Sequence, residues 1–407
     1  MKRPRRAENR GARDRVKTLR KLKIYEDSAK EARNPGRKNE DTKISWFPGF
    51  LRGSLPYYGD ISVWMSEGVG EGQRLRLALC LGLLCLCLCP AITEAAESFA
   101  GDFLTLGVGA RPLGMGGAFA AVADDSTATY WNPAGLGLLR HSEAAFMHSS
   151  LGELDSYDFV NYVHPIGQKA SIGLSWLRVG VDDIPITGVQ FPSQPVGPRN
   201  RPRITGTFSN TDNAFLLSYG RQVGPASLNL FAGGSAKFIY ISALRNTNAF
   251  GLGGDLGLLW RTNPEKSSRF SAAVVVQDFF KTRLYWNTPP ESADQGSNSD
   301  TIQPNVRVGF SLGQDIKALN SRMLLTLDTD SLYDFELHYG GEYVFADLLS
   351  LRLGIQERKG LNTRRLFTAG AGLRLAFLTG AAFSVDYAFL SNDELGNSNR
   401  ISLMTRF

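Results

Sequence analysis

The segment Gly109–Gly137, GARPLGMGGAFAAVADDSTATYWNPAGLG, decides the fold that we expect for this 407-residue chain. It is rich in glycine and alanine, and many strand-like runs follow it. Asn132 before Pro133 predicts an N-cap, and the proline suits the first helical position because its missing N–H costs nothing there. Ala134 continues this turn, and Gly135 is expected to close it in a left-handed conformation.

The upstream part of the segment predicts a tightly folded backbone. Gly114, Gly116 and Gly117 permit close backbone approach and positive φ angles. Asp124 or Asp125 can cap a short helical turn that begins at Ser126. A segment with such short, self-capped elements needs few partners from a β-ladder.

From about residue 143 onward, apolar and polar residues alternate. The run Leu349–Gln356 carries aliphatic residues at every odd position, and Asn305–Leu312 repeats the pattern. Period-two alternation predicts strands. Fourteen such runs can be counted, most of them long enough to cross a bilayer obliquely. The longest gaps, about 180–210 and 281–302, follow the third and seventh runs, which predicts long loops at one end of an antiparallel barrel.

The last run sets an orientation for its side chains. In 399–407, Ile401, Leu403 and Phe407 share the lipid-facing parity. Charged residues of the opposite parity are expected to face the lumen, because charge on the lipid face would cost about 2–4 kcal/mol at the bilayer midplane. The lumen-facing candidates are Arg307, Arg352, Arg374, Asp386, Arg400 and Arg406.

Two stretches carry a family resemblance. The residues Gly109–Ala118, Asp125 and Tyr130–Leu136 resemble the N-terminal signature of PorV/PorQ-type outer-membrane proteins, within the FadL-like (FadL/TodX) family of fourteen-stranded barrels. Asp386–Phe389 and Arg400–Leu403 are similar to the last hairpin of that group. The resemblance implies an all-β transmembrane barrel over 143–407. It also implies a hatch inside the barrel over 97–142, marked by Gly114, Gly116, Gly117, Asp125 and Asn132-Pro133-Ala134-Gly135.

The N-terminal part of the chain predicts export. Residues 1–64 hold 17 Lys/Arg and 8 Asp/Glu, whereas the rest holds 28 and 31, so the basic balance belongs to this extension alone. We expect it to be disordered or absent from the native protein, with Met65 as an alternative start. An apolar core of about 15 residues within 65–96 reads as a signal peptide. The sequence therefore predicts Sec-dependent export to the outer membrane of a Gram-negative-type bacterium, and no nucleic-acid partner.

No chemistry is assigned to the chain. All four cysteines lie between Cys80 and Cys89 in the leader, so the mature chain would have none. Gly251–Gly257 lacks phosphate-loop spacing, and the four histidines form no recognisable metal pair. We predict no catalytic residue, no metal and no cofactor, and expect a protein that is not an enzyme.

Two functions fit this scaffold. The resemblance implies transport of hydrophobic or amphipathic small molecules past the hatch. The alternative that it also implies is a non-conducting barrel that shuttles or anchors secreted cargo for a type IX secretion system. Other expected partners are outer-membrane lipid and the barrel-assembly machinery, whose clients end in a strand with a terminal aromatic residue such as Phe407.

Overall fold

The structure, a computed structural model, describes residues 101–150, 155–243, 247–263, 265–287, 299–331, 335–359, 363–377, 380–391 and 396–407. The predicted extension and signal peptide, residues 1–96, and the first residues of the predicted hatch, 97–100, lie outside these ranges.

The described strands form one antiparallel sheet. They are β1 (Glu143–Ser150), β2 (Asp155–Ile166), β3 (Ala170–Gly188), β4 (Arg203–Val223), β5 (Leu230–Ser242), β6 (Asn248–Arg261), β7 (Ser268–Gln277), β8 (Arg283–Asn287), β9 (Ser299–Thr301), β10 (Asn305–Ile316), β11 (Ser321–Asp330), β12 (Phe335–Phe345), β13 (Leu349–Lys359), β14 (Arg364–Ala376), β15 (Ala382–Leu390) and β16 (Ser398–Arg406). The sheet closes on itself because β1 pairs with β16 over its whole length.

The barrel wall has a break where two neighbouring strands are interrupted side by side, one between β7 and β8 and the other between β9 and β10. β7 pairs with β6 over Leu256–Arg261, whereas β8 pairs with β6 over Asn248–Leu252. Between β7 and β8, Asp278 and Lys281 have φ angles of 52° and 57°, which a β-strand cannot contain. Residues 302–304 separate β9 from β10. If β7 and β8 are counted as one interrupted strand, and β9 and β10 as another, the sixteen described strands form a barrel of fourteen. This confirms the predicted fourteen-stranded antiparallel barrel.

A buried ionic cluster holds this interruption in place. The Lys237 ammonium lies 3.0 Å from Asp255 and 3.0 Å from Asp278. Thr282 donates to the same Asp278 carboxylate at 2.7 Å. These bonds join β5, β6 and the break after β7, so they lock the wall where the ladder is absent.

The outer surface of the barrel is apolar. Outward-facing leucines are strongly exposed, as at Leu252 (73%) and Leu353 (71%), while their inward neighbours Gly253 and Arg352 are more covered. This alternation is the period-two pattern of the sequence in three dimensions. Among the described residues, no helix has the length and apolar character needed to cross a bilayer.

The predicted long loops are shorter than expected. β3 and β4 continue as a ribbon, with Ile184 opposite Phe208 beyond a bulge, so only 189–202 lies between them. The predicted gap 281–302 contains β8 and β9. Both corrections have one cause: these residues find cross-strand partners that the sequence alone does not show. The connections 189–202 and 288–298 are still the longest, and we name their side the long-loop end and the opposite side the short-turn end.

Residues 101–142 lie inside the barrel, and we call them the hatch. They form a 3-10 turn (Asp102–Thr105), helix α1 (Ala110–Gly114), helix α2 (Ala128–Trp131) and a second 3-10 turn (Pro133–Leu138). Most of their side chains are buried. The prediction for Gly135 is wrong, because its φ is not positive and the 3-10 turn runs through it. Glycine is needed there for space, since a Cβ would lie 2.0 Å from the Ala123 carbonyl oxygen.

Candidate functional site: the hatch and the lumen

An ion network, buried at Glu342 and partly exposed at Arg111 and Asp124, fixes the hatch to one side of the barrel. Arg111, in α1, contacts both carboxylate oxygens of Glu342 in β12 at 3.0 Å. Within the hatch it also contacts Asp124 at 2.7 Å and Asp125 at 2.8 Å. A planar guanidinium shared among three carboxylates has its donors held in a fixed geometry. The network therefore sets the orientation of α1 as well as its position.

The network continues into the wall. Arg352 of β13 contacts Glu342 at 2.7 Å and Asp386 of β15 at 2.6 Å. Two of the lumen-facing candidates thus lie in one chain of charges that begins in the hatch. Sequence reasoning missed Arg111 and Glu342, although the inward parity of β12 could have singled out Glu342.

The hatch members of the network have shifted pKa values. Burial by itself lowers the pKa of Arg111, but the carboxylates of Asp124, Glu342 and Asp125 outweigh it and hold that pKa well above its usual value. Burial raises the pKa of Asp124, whereas Arg111 and Arg261 lower it, and the net direction is downward. Both groups are therefore charged at neutral pH, as an ion network requires.

Other bonds on this side reach the hatch backbone. One Asp328 carboxylate oxygen accepts from the N–H groups of Phe119 and Ala120 at 2.9 and 2.8 Å. The Thr368 hydroxyl accepts from the Gly116 N–H at 2.9 Å. His338 lies 2.7 Å from the Gly116 carbonyl oxygen. We name the inward residues of β10–β16 the charged face, because carboxylates, arginines and this histidine dominate it.

The opposite side holds the hatch mostly with small neutral groups. Two charged residues join them: Glu143 of β1 accepts from the Ser126 N–H at 2.8 Å, and Arg261 of β6 donates to the Val122 carbonyl at 3.2 Å. Asn161 of β2 donates to the Ser126 carbonyl at 2.6 Å. Ser175 of β3 bonds the Thr129 hydroxyl at 2.7 Å, and the Ser218 hydroxyl reaches the Thr129 carbonyl at 3.3 Å. Each such bond contributes about 0.5–1.5 kcal/mol net, less than a buried charged contact.

Inward glycines make room for the hatch backbone. A Cβ at Gly257 of β6 would lie 2.1 Å from the Asn132 side-chain oxygen. A Cβ at Gly354 of β13 would lie 2.2 Å from the Gly116 nitrogen. In the glycine-rich run 251–257 only Gly257 approaches the hatch, whereas Gly251 and Gly253 approach Arg283 and Thr282 of the wall.

The Asn132–Gly135 turn lies against Gly257. The Asn132 side-chain oxygen accepts from the Ala134 N–H at 3.0 Å, with Pro133 at the first turn position. Its amide donates to the Ala120 carbonyl at 2.9 Å. Asn132 thus caps its own turn and ties together two parts of the hatch. Gly114, Gly116 and Gly117 of the hatch lie against the charged face of the wall. Gly116 and Gly117 have φ angles of 66° and 75°.

Above the hatch, toward the long-loop end, the lumen has an apolar lining on one side. It comprises inward side chains of β2–β6 and β8, which we name the apolar face: Tyr157, Phe159, Leu177, Val179, Leu216, Ile239, Ile241, Ala249, Leu284 and Trp286. Phe103, Leu104 and Leu106 of the first 3-10 turn pack against it. The first 3-10 turn of the hatch therefore fills an apolar compartment of the lumen.

Arg400 of β16 closes this compartment from the charged face. The Arg400 side chain is only 3% exposed, and a buried arginine is normally paired with a carboxylate. It donates to the Leu106 and Gly107 carbonyls at 2.8 and 3.1 Å and stacks on the Tyr157 ring at 5.4 Å. Among the described residues no carboxylate pairs with it, and neither its Nε nor the Tyr157 hydroxyl has a hydrogen-bond partner. The Arg400 Nε–H and the Tyr157 hydroxyl can therefore still form hydrogen bonds next to an apolar surface.

The other lumen-facing candidates lie elsewhere on the charged face. Arg307 contacts Asp330 at 2.6 Å and stacks on the Trp131 ring of the hatch at 5.2 Å. Arg406 contacts Glu143 of β1 at 2.5 Å. Arg374 lines a cavity below the hatch, without an ion pair to any described residue. Phe407 is exposed beside the Tyr162 ring, and its backbone pairs with Ser142.

The cavity below the hatch opens toward the short-turn end and has a volume of about 810 Å³. Arginines and carboxylates of the ion network line it together with apolar residues such as Leu139, Phe231 and Met404. The hatch thus separates two compartments, the apolar one above and this mixed one below.

Asp330, Glu336 and His338 bring three potential ligand atoms within 4.8 Å of one another. Arginines already occupy both carboxylates, Arg307 at Asp330 and Arg358 at Glu336. We therefore assign no metal to this cluster.

No protein-family model matches the chain, and no curated protein matches it. Solved structures do. The toluene transporter TodX of Pseudomonas putida is 11% identical with a TM-score of 0.42, covering 74% of this chain and 96% of that one. The Ralstonia pickettii toluene transporter TbuX is 12% identical, with coverages of 74% and 97% and a TM-score of 0.40. A Pseudomonas aeruginosa FadL homologue is 11% identical, with coverages of 71% and 95% and a TM-score of 0.40. A likeness of this degree carries no information on what this chain binds or transports.

Proposed function

We propose that the protein is an outer-membrane barrel of PorV/PorQ type that transports hydrophobic or amphipathic small molecules past its hatch. The observation that carries the proposal is the apolar face at the long-loop end. Buried apolar side chains such as Leu216 and Ile239 line the inner wall there, and in the closed state the first 3-10 turn of the hatch covers them. A ligand of low polarity gains about 25 cal/mol for each square ångström of apolar surface that it buries there.

The membrane location rests on the outer surface. Most strands have 9–14 residues. With exposed leucines and aromatic residues outside, they would be insoluble as a free barrel, yet they suit the hydrocarbon core of a bilayer. Recovery in the outer-membrane fraction and heat-modifiable gel mobility test this location. Mass spectrometry of the mature N-terminus tests the predicted export signal in residues 65–96.

The proposed route has three stages. A ligand enters from the long-loop end and replaces the turn Asp102–Thr105 on the apolar face. Arg400 and Tyr157 then face any acceptor group that the ligand carries. The hatch must shift before the ligand reaches the cavity at the short-turn end, because the hatch backbone contacts the wall on both sides.

Binding of a hydrophobic fluorescent probe, N-phenylnaphthylamine, to the purified barrel tests the route. Ile239→Ala removes apolar surface above the hatch, and we expect probe affinity to fall about tenfold, the equivalent of ~1.4 kcal/mol. The matched control is Leu259→Ala, because Leu259 is equally buried but packs below, against Ala120 and Ala121. Equal losses in both variants, or no uptake of any hydrophobic probe by proteoliposomes, would contradict transport.

One observation favours the alternative, a non-conducting barrel that receives secreted cargo. The ion network of Arg111, Glu342 and Arg352 is buried, and breaking such contacts is costly, so a permanently closed hatch is compatible with it. Cargo docking predicts that the purified barrel binds the C-terminal domains of type IX substrates at the long-loop end. Trimming the ribbon over 184–208 would then abolish cargo binding while leaving probe binding unchanged.

A further inference from the structure

His338 joins the wall to the hatch through both of its ring nitrogens. Nδ1 lies 2.7 Å from the carbonyl oxygen of Gly116 in the hatch. Nε2 lies 3.1 Å from an oxygen of Asp330 in β11 and 3.6 Å from one of Glu336. The side chain is buried, with 3% of its surface exposed.

The partners of both nitrogens are acceptors. Carbonyl and carboxylate oxygens carry no proton to donate, and a neutral imidazole has only one N–H. In the neutral form one of the two contacts would place a nitrogen lone pair against an oxygen lone pair at hydrogen-bonding distance. Only the imidazolium donates at both positions. We propose that His338 is a buried proton-binding site that latches the hatch, so that the closed hatch holds one proton which the open hatch releases.

The charges around His338 agree with a bound proton. Every strand that packs against it contributes: Arg307 from β10, Asp328 and Asp330 from β11, Glu336 from its own strand, and Arg358 from β13. With a protonated His338, three cations face three carboxylates. Without the proton a buried negative charge is left over, which is costly in a low-dielectric site. A divalent metal ion in place of the proton would leave an excess positive charge instead.

The latch acts on the part of the hatch that carries its tight glycine turn. Gly116 presents its carbonyl to His338, and the next carbonyl, of Gly117, accepts from Arg307 at 3.4 Å. Arg307 also stacks on Trp131. Loss of the proton therefore weakens the grip on Gly116 first, and the hatch loosens as the pH rises.

A cysteine reporter measures this loosening directly, because residues 97–407 contain no cysteine. Ala118→Cys places a thiol in the buried hatch next to Gly117, and Lys317→Cys places one in an exposed short turn. The ratio of their labelling rates by a methanethiosulfonate reagent cancels the intrinsic pH dependence of thiol reactivity. The ratio is measured from about pH 5.5 to about pH 8.5, on both sides of the ordinary histidine pKa of about 6.5.

We expect the ratio to rise about 10- to 100-fold with pH, since a charged hydrogen bond worth about 1.5–3 kcal/mol is lost. His338→Gln, which cannot titrate, should raise the ratio at low pH and flatten its pH dependence. The matched control is His148→Gln, because the exposed His148 has its own carboxylate partner, Asp158, at 2.7 Å but does not touch the hatch. It should leave the slope unchanged.

Three outcomes would overturn the latch. A flat ratio in the otherwise unaltered protein would show that no proton controls the hatch, whether or not the His338 variant folds. A slope that persists in His338→Gln would assign the proton to another group. Suppression of labelling by micromolar Zn²⁺ and recovery with a chelator would identify a metal ion as the latch. None of these outcomes depends on which molecule, if any, passes the hatch.

Discussion

The two sides of the lumen hold the same hatch by different means. On the charged face, Arg111, whose side chain is 21% exposed, and the buried Glu342 form an ion pair that links hatch and wall. On the opposite side, neutral hydroxyl and amide groups such as Ser175 and Asn161 make most of the bonds, and Glu143 and Arg261 each add one charged hydrogen bond to the hatch backbone. Removing a partner of a buried ion pair costs about 3–5 kcal/mol, whereas a neutral hydrogen bond contributes about 0.5–1.5 kcal/mol.

This difference gives a direction to any hatch movement. The neutral bonds can break one at a time at low cost, while the Arg111–Glu342 ion pair keeps the hatch attached as a hinge after His338 has released Gly116. A passage would then open next to the apolar face, where a hydrophobic ligand is most favourably placed. The position of the charges and the position of the apolar lining therefore both favour a ligand path along the apolar face.

Glu342→Ala should have the largest effect, because it leaves Arg111 and Arg352 buried without a shared carboxylate. We expect hatch stability to fall by about 3–5 kcal/mol, measured as faster labelling of a cysteine at position 118. The barrel itself should keep its heat-modifiable mobility. The control is Glu357→Ala, since its partner Arg365 is 60% exposed and such pairs contribute at most about 1 kcal/mol. Similar effects of the two substitutions would remove the distinction between the faces.

Gly257→Val tests the neutral side and should have an intermediate effect. Valine favours strands, but its Cβ would meet the Asn132 side chain, so we expect the hatch to lose about 1–3 kcal/mol. Gly313→Val is the matched control, because a Cβ at this inward glycine of β10 has its nearest neighbour at 3.7 Å. Cysteine labelling of the hatch and urea unfolding of the barrel separate the two contributions. A barrel that loses stability while its hatch does not would argue against the close approach.

The sequence predicted the barrel because alternation is a local property. Residues such as Leu351 and Arg352 point to opposite sides of a strand whatever the rest of the chain does. The interruption after β7 was not predictable in this way, because Asp278 and Lys281 adopt positive φ without being glycine. Asp278 is held there by Lys237, which lies about 40 residues earlier in the chain.

The candidate site was predictable only in part. Inward parity singles out charged residues such as Arg307 and Arg400, but it does not say which of them pair. Arg111 and Glu342 are 231 positions apart in sequence, and only the closed barrel brings them together. The apolar face was missed because aliphatic residues in strands are ordinarily assigned to the lipid side. From the sequence alone, His338 is considered only as a possible metal ligand, and that role is rejected. Nothing local in the sequence shows that it reaches Gly116.

Acid should loosen the ionic side by a smaller amount. The pKa of Asp124 is lowered by Arg111 and Arg261, so its stabilising contribution is fully present above its unfolded pKa of about 3.9. That contribution is lost as the pH falls through the lower, folded-state pKa. The ratio of the labelling rates at positions 118 and 317 should thus rise below about pH 4, and Asp124→Asn should reduce this acid sensitivity. Because Asp124 is 35% exposed, solvent limits the effect. An unchanged acid response in the variant would contradict the assignment of the sensitivity to Asp124.

The smallest effect on stability is expected at Phe407, at the seam where β16 meets β1 and the two sides of the barrel join. Its ring is 59% exposed and lies 6.3 Å from the Tyr162 ring, while its backbone bonds to Ser142 do not involve the side chain. Phe407→Ala should therefore change unfolding in urea by less than about 1 kcal/mol. If the terminal ring is instead an assembly signal, the amount of barrel in the outer membrane should fall several-fold while the inserted fraction remains as stable as before. Phe407→Tyr, which keeps the aromatic ring, should restore that amount; failure to do so, or a loss of stability that parallels the loss of protein, would assign the ring to packing.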